Sequence, residues 1–83
     1  MKLFLISQSQ HDDYDTYDAA VVIAENEEEA RNMNPSDGES MTEEDWKRSF
    51  STWCNSPEHV KVEYLGESVS DEKGVVCASF NAG

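Results

Sequence analysis

The chain has few basic residues, few glycines, few cysteines and no long hydrophobic run. Six Lys and Arg residues stand against eighteen Asp and Glu residues, which gives a formal net charge of −12 at pH 7. This charge disfavours nucleic acid and anionic membranes as direct ligands, because both repel a protein of the same sign. The four glycines form neither a GxGxxG nor a P-loop pattern, so no phosphate-binding loop is predicted.

The scarcity of long hydrophobic runs and of cysteine bears on where the protein acts. The longest runs, 3–6 and 19–24, have the length of a strand and are too short for a membrane span or a signal peptide. A cytoplasmic protein is therefore expected. Cys54 and Cys77 are too few for a disulfide scaffold and lack CxxC spacing, so both are expected to be reduced structural thiols.

The acidic residues are concentrated in residues 12–45, here called the acidic window. It holds thirteen acids and one base, Arg31, so it accounts for the whole net charge while the flanks cancel. Two of its dense groups, 27–29 and 43–45, lie where the first turn of a helix favours carboxylates. Capping explains their position but not the scarcity of bases. Two interpretations of these acids therefore stay open: a solvated surface that aids solubility, and a surface that faces a basic partner.

Hydrophobic patterning predicts an α+β fold in a single small domain, residues 1–83. Strands are predicted over 2–8, 17–24, 60–65 and 74–81, the first pairing with the second as a central strand. Two short helices lie between the second and third strands. The first runs over 27–33 behind an Asn26 cap closed by Glu29, and the second runs from a Thr42 cap to near Cys54. The order ββααββ, with two antiparallel hairpins, predicts a four-stranded antiparallel sheet covered on one face by two short helices.

Aromatic residues carry two further predictions. Trp46, Phe50 and Trp53 fall on one helical stripe, which favours a core position over a ligand platform. Tyr14 and Tyr17 lie among acids in a segment that suits protein recognition, although a strand start with one buried tyrosine is the simpler interpretation. On the last strand, the better-packed face is expected to carry Val76, Ala78 and Phe80.

Patterns for metals and catalysis are weak. An EF-hand loop aligned on Gly38 fails because two ligand positions hold Met33 and Pro35. A nucleophile and base could be formed by Cys54 and His59, but no oxyanion loop accompanies them. Two sets of ligand-type residues remain: the acids Asp12, Asp13, Asp15 and Asp18, which could hold a hard cation weakly, and His11, Cys54, His59 and Cys77, which lack zinc spacing. No cofactor, metal site or catalytic residue is predicted.

Two segments carry a resemblance to a known family. Residues 14–31 (YDTYDAAVVIAENEEEAR) and 74–83 (GVVCASFNAG) resemble segments of a family of small uncharacterised proteins from phages and bacterial prophages. The resemblance covers about a third of the chain, and no site residue carries over from it. It implies a phage or bacterial origin, the cytoplasm of a bacterial host cell, and a host-directed accessory role.

The sequence thus predicts a non-enzymatic acidic binding protein that blocks a basic, nucleic-acid-binding site on a host protein by charge mimicry. The expected partner is a basic host protein of nucleic-acid binding or defence, with no direct contact to nucleic acid or membrane. The predicted partner-binding residues are Asp12, Asp13, Tyr14, Asp15, Tyr17, Asp18, Glu43, Glu44 and Asp45. Two alternatives stay open: a small-molecule binder with a pocket around Trp46 and Trp53, and a structural or accessory phage protein whose charge serves solubility only. The oligomeric state also stays open, and a homodimer is one of the states that the sequence allows.

Overall fold

A computed structural model describes residues 1–9, 16–48, 53–54 and 56–81 of the chain. Its strands are β1 (Lys2–Ser7), β2 (Thr16–Ala24), β3 (Lys61–Glu67) and β4 (Gly74–Asn81). Between β2 and β3 lie the helices α1 (Glu27–Arg31) and α2 (Glu43–Arg48) and a short 3-10 turn at Pro57–His59. The predicted α+β class and element order are confirmed.

The four strands form one antiparallel sheet in the order β3-β1-β2-β4. The predicted pairing of β1 with β2 is confirmed, with Phe4 opposite Val22, and β1 is a central strand. The expected second hairpin, between β3 and β4, is wrong because these strands lie at opposite edges. This order places the two most apolar strands at the centre, where both neighbours shield them, and leaves the charged β3 at an edge.

The core lies between one face of the sheet and the helical layer. The central strands contribute buried side chains such as Phe4 and Ile6, and Ala30 and Met33 pack inward as predicted. Trp46 and Trp53 are only 8 % and 1 % exposed, so the core interpretation of the aromatic stripe is confirmed for these two residues. Phe50 lies outside the described residues.

Side-chain caps begin both helices. The Asn26 side chain accepts a hydrogen bond of 2.8 Å from the Glu29 N–H. Helix α1 ends at Arg31, short of the predicted Met33, because Met33 turns away to form an isolated β-bridge with Ser40. Helix α2 is described to Arg48, and residues 49–52 of the predicted helix lie outside the described residues.

The prediction for β4 is wrong about its packed face. Val76 is 56 % exposed, Phe80 is 43 % exposed and Ala78 is exposed too, whereas Val75 packs against the core. A β-bulge accounts for Val76, because it leaves this residue extra in the ladder between Val75, opposite Val22, and Cys77, opposite Val21. Ala78 and Phe80 lie opposite Ala20 and Tyr17, on the core side of β2, and are exposed because β4 is an edge strand.

The same strand corrects the prediction for the cysteines. Neither cysteine forms a disulfide among the described residues, but Cys54 is buried whereas Cys77 is exposed on β4. Cys77 is exposed because β4 is an edge strand and Cys77 lies opposite Val21. Val21 is only partly buried, on the face opposite the buried Ala20 and Val22.

Candidate functional site

The structure describes five of the nine predicted partner-binding residues. Glu43, Glu44 and Asp45 form the first turn of α2, and Tyr17 and Asp18 lie at the start of β2. The four others lie outside the described residues: Asp12, Asp13, Tyr14 and Asp15.

The start of β2 presents one of its two predicted contacts to solvent. Asp18 is exposed and is the extra residue of a second β-bulge, since Tyr17 lies opposite Phe80 and Ala19 opposite Ser79. Tyr17 is partly buried and packs against the core, with its ring centroid 4.7 Å from that of Phe80. Tyr17 therefore holds β4 to β2, and Asp18 is the more accessible of the pair.

At the start of α2, one acid supports the helix while two extend into solvent. The Asp45 carboxylate accepts from the Thr42 N–H at 3.0 Å, and the Thr42 hydroxyl accepts from the Asp45 N–H at 3.2 Å. These bonds from Thr42 lower the pKa of Asp45 below its ordinary value. Glu44 lies 3.4 Å from Arg48 in an exposed pair, which contributes little to stability. Glu43 is exposed and has no ion pair among the described residues.

Arg31, the single base of the acidic window, is held by α1 and by the chain beside it. Its guanidinium lies 3.0 Å from the Glu27 carboxylate and donates to the backbone carbonyls of Val60 and Pro57. These bonds fasten the 3-10 turn to α1. Nothing in the sequence pattern indicates this role, because the acceptors are backbone atoms about thirty residues away.

Glu29 does not close the predicted capping box with Asn26. Its carboxylate accepts instead from the Glu25 N–H at 2.9 Å and lies 2.9 Å from the Lys73 ammonium, which is also 3.9 Å from Glu25. Burial raises the pKa of Glu29, but the Glu25 N–H and Lys73 together hold it below its ordinary value. The Glu29 carboxylate in turn raises the pKa of Lys73. Lys73 lies outside the acidic window, directly before β4, and its ion pair with Glu29 thus links the start of β4 to α1.

Two open concavities beside the helices share Asn32 and Pro57 and are here called the interhelical groove. The first, of about 520 Å³, is also bordered by Glu43 and Lys47 of α2. The second, of about 500 Å³, is also bordered by α1 through Glu27, Glu28 and Arg31. The groove therefore has exposed carboxylates from both helices along one surface of the helical layer.

Cys54 lacks the surroundings of a reactive thiol. Burial raises the pKa of this thiol, which lies 3.4 Å from the Ser56 carbonyl oxygen. A nucleophilic cysteine needs the opposite shift, toward the thiolate. His59 is exposed on the 3-10 turn. No group of three or more metal-ligating side chains occurs among the residues that the structure describes.

The tryptophans differ in their access to a ligand. Trp46 borders the interhelical groove, whereas Trp53 is buried and its indole N–H has no hydrogen-bond partner within the described ranges. An apolar concavity of about 210 Å³ lies elsewhere, on the sheet, where Leu5, Val21 and Cys77 are among its lining residues.

Within the described ranges, no helix is both long enough and apolar enough to cross a membrane.

Comparison of the chain with protein-family models, curated proteins and solved structures found no match. The resemblance of 14–31 and 74–83 to phage proteins therefore stays a prediction.

Proposed function

We propose that this chain is a non-enzymatic binding protein that places an acidic surface in a basic, nucleic-acid-binding site of a protein partner. The surface belongs to α1, α2 and the loop that joins them. Its members are the exposed carboxylates Glu27, Glu28, Asp37, Glu39, Glu43 and Glu44, here called the helical acidic surface.

The observation that carries the proposal is the excess of exposed carboxylates over the bases beside them. Arg31 is bonded to backbone carbonyls, Lys73 is paired with Glu29, and Arg48 is paired with Glu44. Lys47 is exposed and borders the same concavity as Glu43. Among the described residues, Glu28, Glu39 and Glu43 have no ion pair. These carboxylates are therefore available to a basic partner.

Charge complementarity supplies the mechanism. Carboxylates spaced along a surface can take the place of phosphates, accelerate the encounter with a basic groove and keep nucleic acid out of it. Asp12, Asp13, Tyr14 and Asp15 stay predicted contacts, and Asp18 is an exposed acid on β2. The resemblance to phage proteins supports a host protein in the bacterial cytoplasm as the target.

The test compares two triple variants of equal net charge. The helical variant carries Glu28→Lys, Glu39→Lys and Glu43→Lys, which reverses exposed acids of the helical acidic surface. The control variant carries Glu63→Lys, Asp71→Lys and Glu72→Lys, which reverses the same number of exposed acids outside the acidic window. Each tagged protein is used to capture partners from nuclease-treated bacterial lysate, with circular dichroism to check the fold.

We expect the wild type and the control variant to retain the same basic partner, with salt removing it, and the helical variant to lose it. Equal retention by all three proteins would contradict the proposal, as would equal loss by both variants. In the second case total charge, and not its position, would govern the capture.

A further inference from the structure

Strand β4 is an edge strand that lacks charged residues, a usual protection of an edge, although a β-bulge interrupts it at Val76. Its eight residues, GVVCASFN, include no charged residue and no proline, in a chain of which 29 % is charged. Val76 and Phe80 are both largely exposed. A long, uncharged edge is the kind of strand that pairs with another chain.

The opposite edge of the sheet is protected. Strand β3 carries Lys61, Glu63 and Glu67. Charges on an edge strand oppose the addition of another strand. Because β-bulges interrupt the pairing of both edge strands, the charge is what distinguishes them, and the uncharged β4 is the edge suited to pairing.

We propose that β4 pairs antiparallel with β4 of a second copy of this chain, about a two-fold axis, to form a continuous eight-stranded sheet. Within the described residues, β4 pairs with β2 alone, so its outer backbone groups face away from the sheet. An antiparallel strand related by a two-fold axis is complementary to itself. Because β3 is protected, the association ends at two copies.

Charge selects β4 as the place where two copies can meet. Two chains of net charge −12 repel each other over most of their surfaces, but β4 carries no charged side chain. The paired strands therefore bring no like charges together.

The dimer adds to the proposed function without depending on it. The two-fold axis of an antiparallel strand pair is perpendicular to the sheet, so both helical layers lie on the same side. Two helical acidic surfaces would then face one partner or two adjacent sites, which raises avidity where both can be engaged. Because the pairing of two strands is a small contact compared with about 800 Å² per partner in standard interfaces, we expect reversible dimerisation in the micromolar range.

The test measures mass against concentration, by light scattering after size exclusion, for the wild type, Val76→Lys and Val69→Lys. Both substitutions replace an exposed valine and raise the net charge by one, but Val69 lies outside the strands. We expect the wild type and Val69→Lys to rise from 9.4 kDa to twice that mass, and Val76→Lys to stay monomeric. A monomeric wild type, equal behaviour of the two variants, or growth beyond a dimer would overturn the proposal.

Cross-linking gives a second measurement that does not depend on how Val76→Lys folds. Cys77 is exposed and Cys54 is buried, so a short bismaleimide should join two copies of the native chain through Cys77. The covalent dimer is expected in the wild type and in Val69→Lys, and it should disappear in Cys77→Ser. No covalent dimer in the wild type at concentrations where the thiols react would contradict pairing through β4.

Discussion

Glu29 shows how a residue of the acidic window can act mainly in folding. Its carboxylate bonds the Glu25 N–H and the Lys73 ammonium, although the sequence predicts only a role in the helix cap. Lys73 could not be foreseen as the partner because it lies forty-four residues away. Glu29 therefore belongs to the acids that support the fold, and not to those that are available to a partner.

Glu29→Gln is expected to lower the free energy of unfolding at pH 7 by about 0.5–1 kcal/mol. The pKa of Glu29 in the folded chain lies below its ordinary value of 4.5. Its stabilising effect is therefore complete well above pH 4.5 and is lost as the pH falls through the folded-state pKa. Urea denaturation should show the difference from wild type at pH 7 and its loss in acid. Glu28→Gln, an exposed neighbour, should match the wild type at both; a Glu29→Gln difference that persists in acid would contradict this account.

Gly38 is required where the loop after α1 meets the start of β4. Its φ is +76°, and a Cβ atom there would lie 2.9 Å from the Gly74 Cα. We expect Gly38→Ala to cost about 1–3 kcal/mol in thermal denaturation, because the added methyl combines an unfavourable φ with this close contact. A loss below about 0.5 kcal/mol, the usual range of a neutral surface substitution, would contradict this account.

At the scale of elements, the cap of α2 is the clearest case of a local signal. The cap at Thr42 that the sequence predicts is present, and the Asp45 carboxylate adds a reciprocal hydrogen bond from the Thr42 N–H. Thr42→Ala should lower the free energy of unfolding by about 0.5–2 kcal/mol, because it removes the acceptor for the Asp45 N–H. Thr42→Ser keeps that acceptor and should behave nearly as the wild type in urea denaturation. Similar losses in both variants would contradict the role of the hydroxyl.

The elements also show what the sequence can and cannot predict. Caps and strand positions depend on neighbouring residues, so Asn26, Thr42 and the central place of β1 were predictable. The separation of β3 from β4 and the bulge at Val76 depend on pairing between distant segments, and no local pattern shows either. Within the candidate site, the exposed first turn of α2 follows from the sequence. The hydrogen bonds of Arg31 to backbone carbonyls could not be predicted, because every residue has a carbonyl and the sequence does not indicate which one will accept.

For the whole molecule, the net charge of −12 affects stability as well as recognition. Repulsion among unpaired carboxylates opposes the compact state, and salt screens it over a Debye length of about 10 Å at 0.1 M. We therefore expect the thermal midpoint to rise by a few degrees when sodium chloride is added at neutral pH. Thermal denaturation followed by circular dichroism measures the shift. A midpoint that falls from low to moderate salt would show that ion pairs, four of which lie among the described residues, outweigh the repulsion.

The proposed charge mimicry is tested most directly by competition for a captured partner. A labelled DNA duplex is bound to that partner, and its fluorescence anisotropy is followed while this protein is added. We predict that the wild type and the control variant displace the duplex, that added salt weakens the displacement, and that the helical variant leaves the duplex bound. Duplex that stays bound at saturating wild-type protein, or equal displacement by the helical variant, would contradict the claim that the helical acidic surface takes the place of nucleic acid.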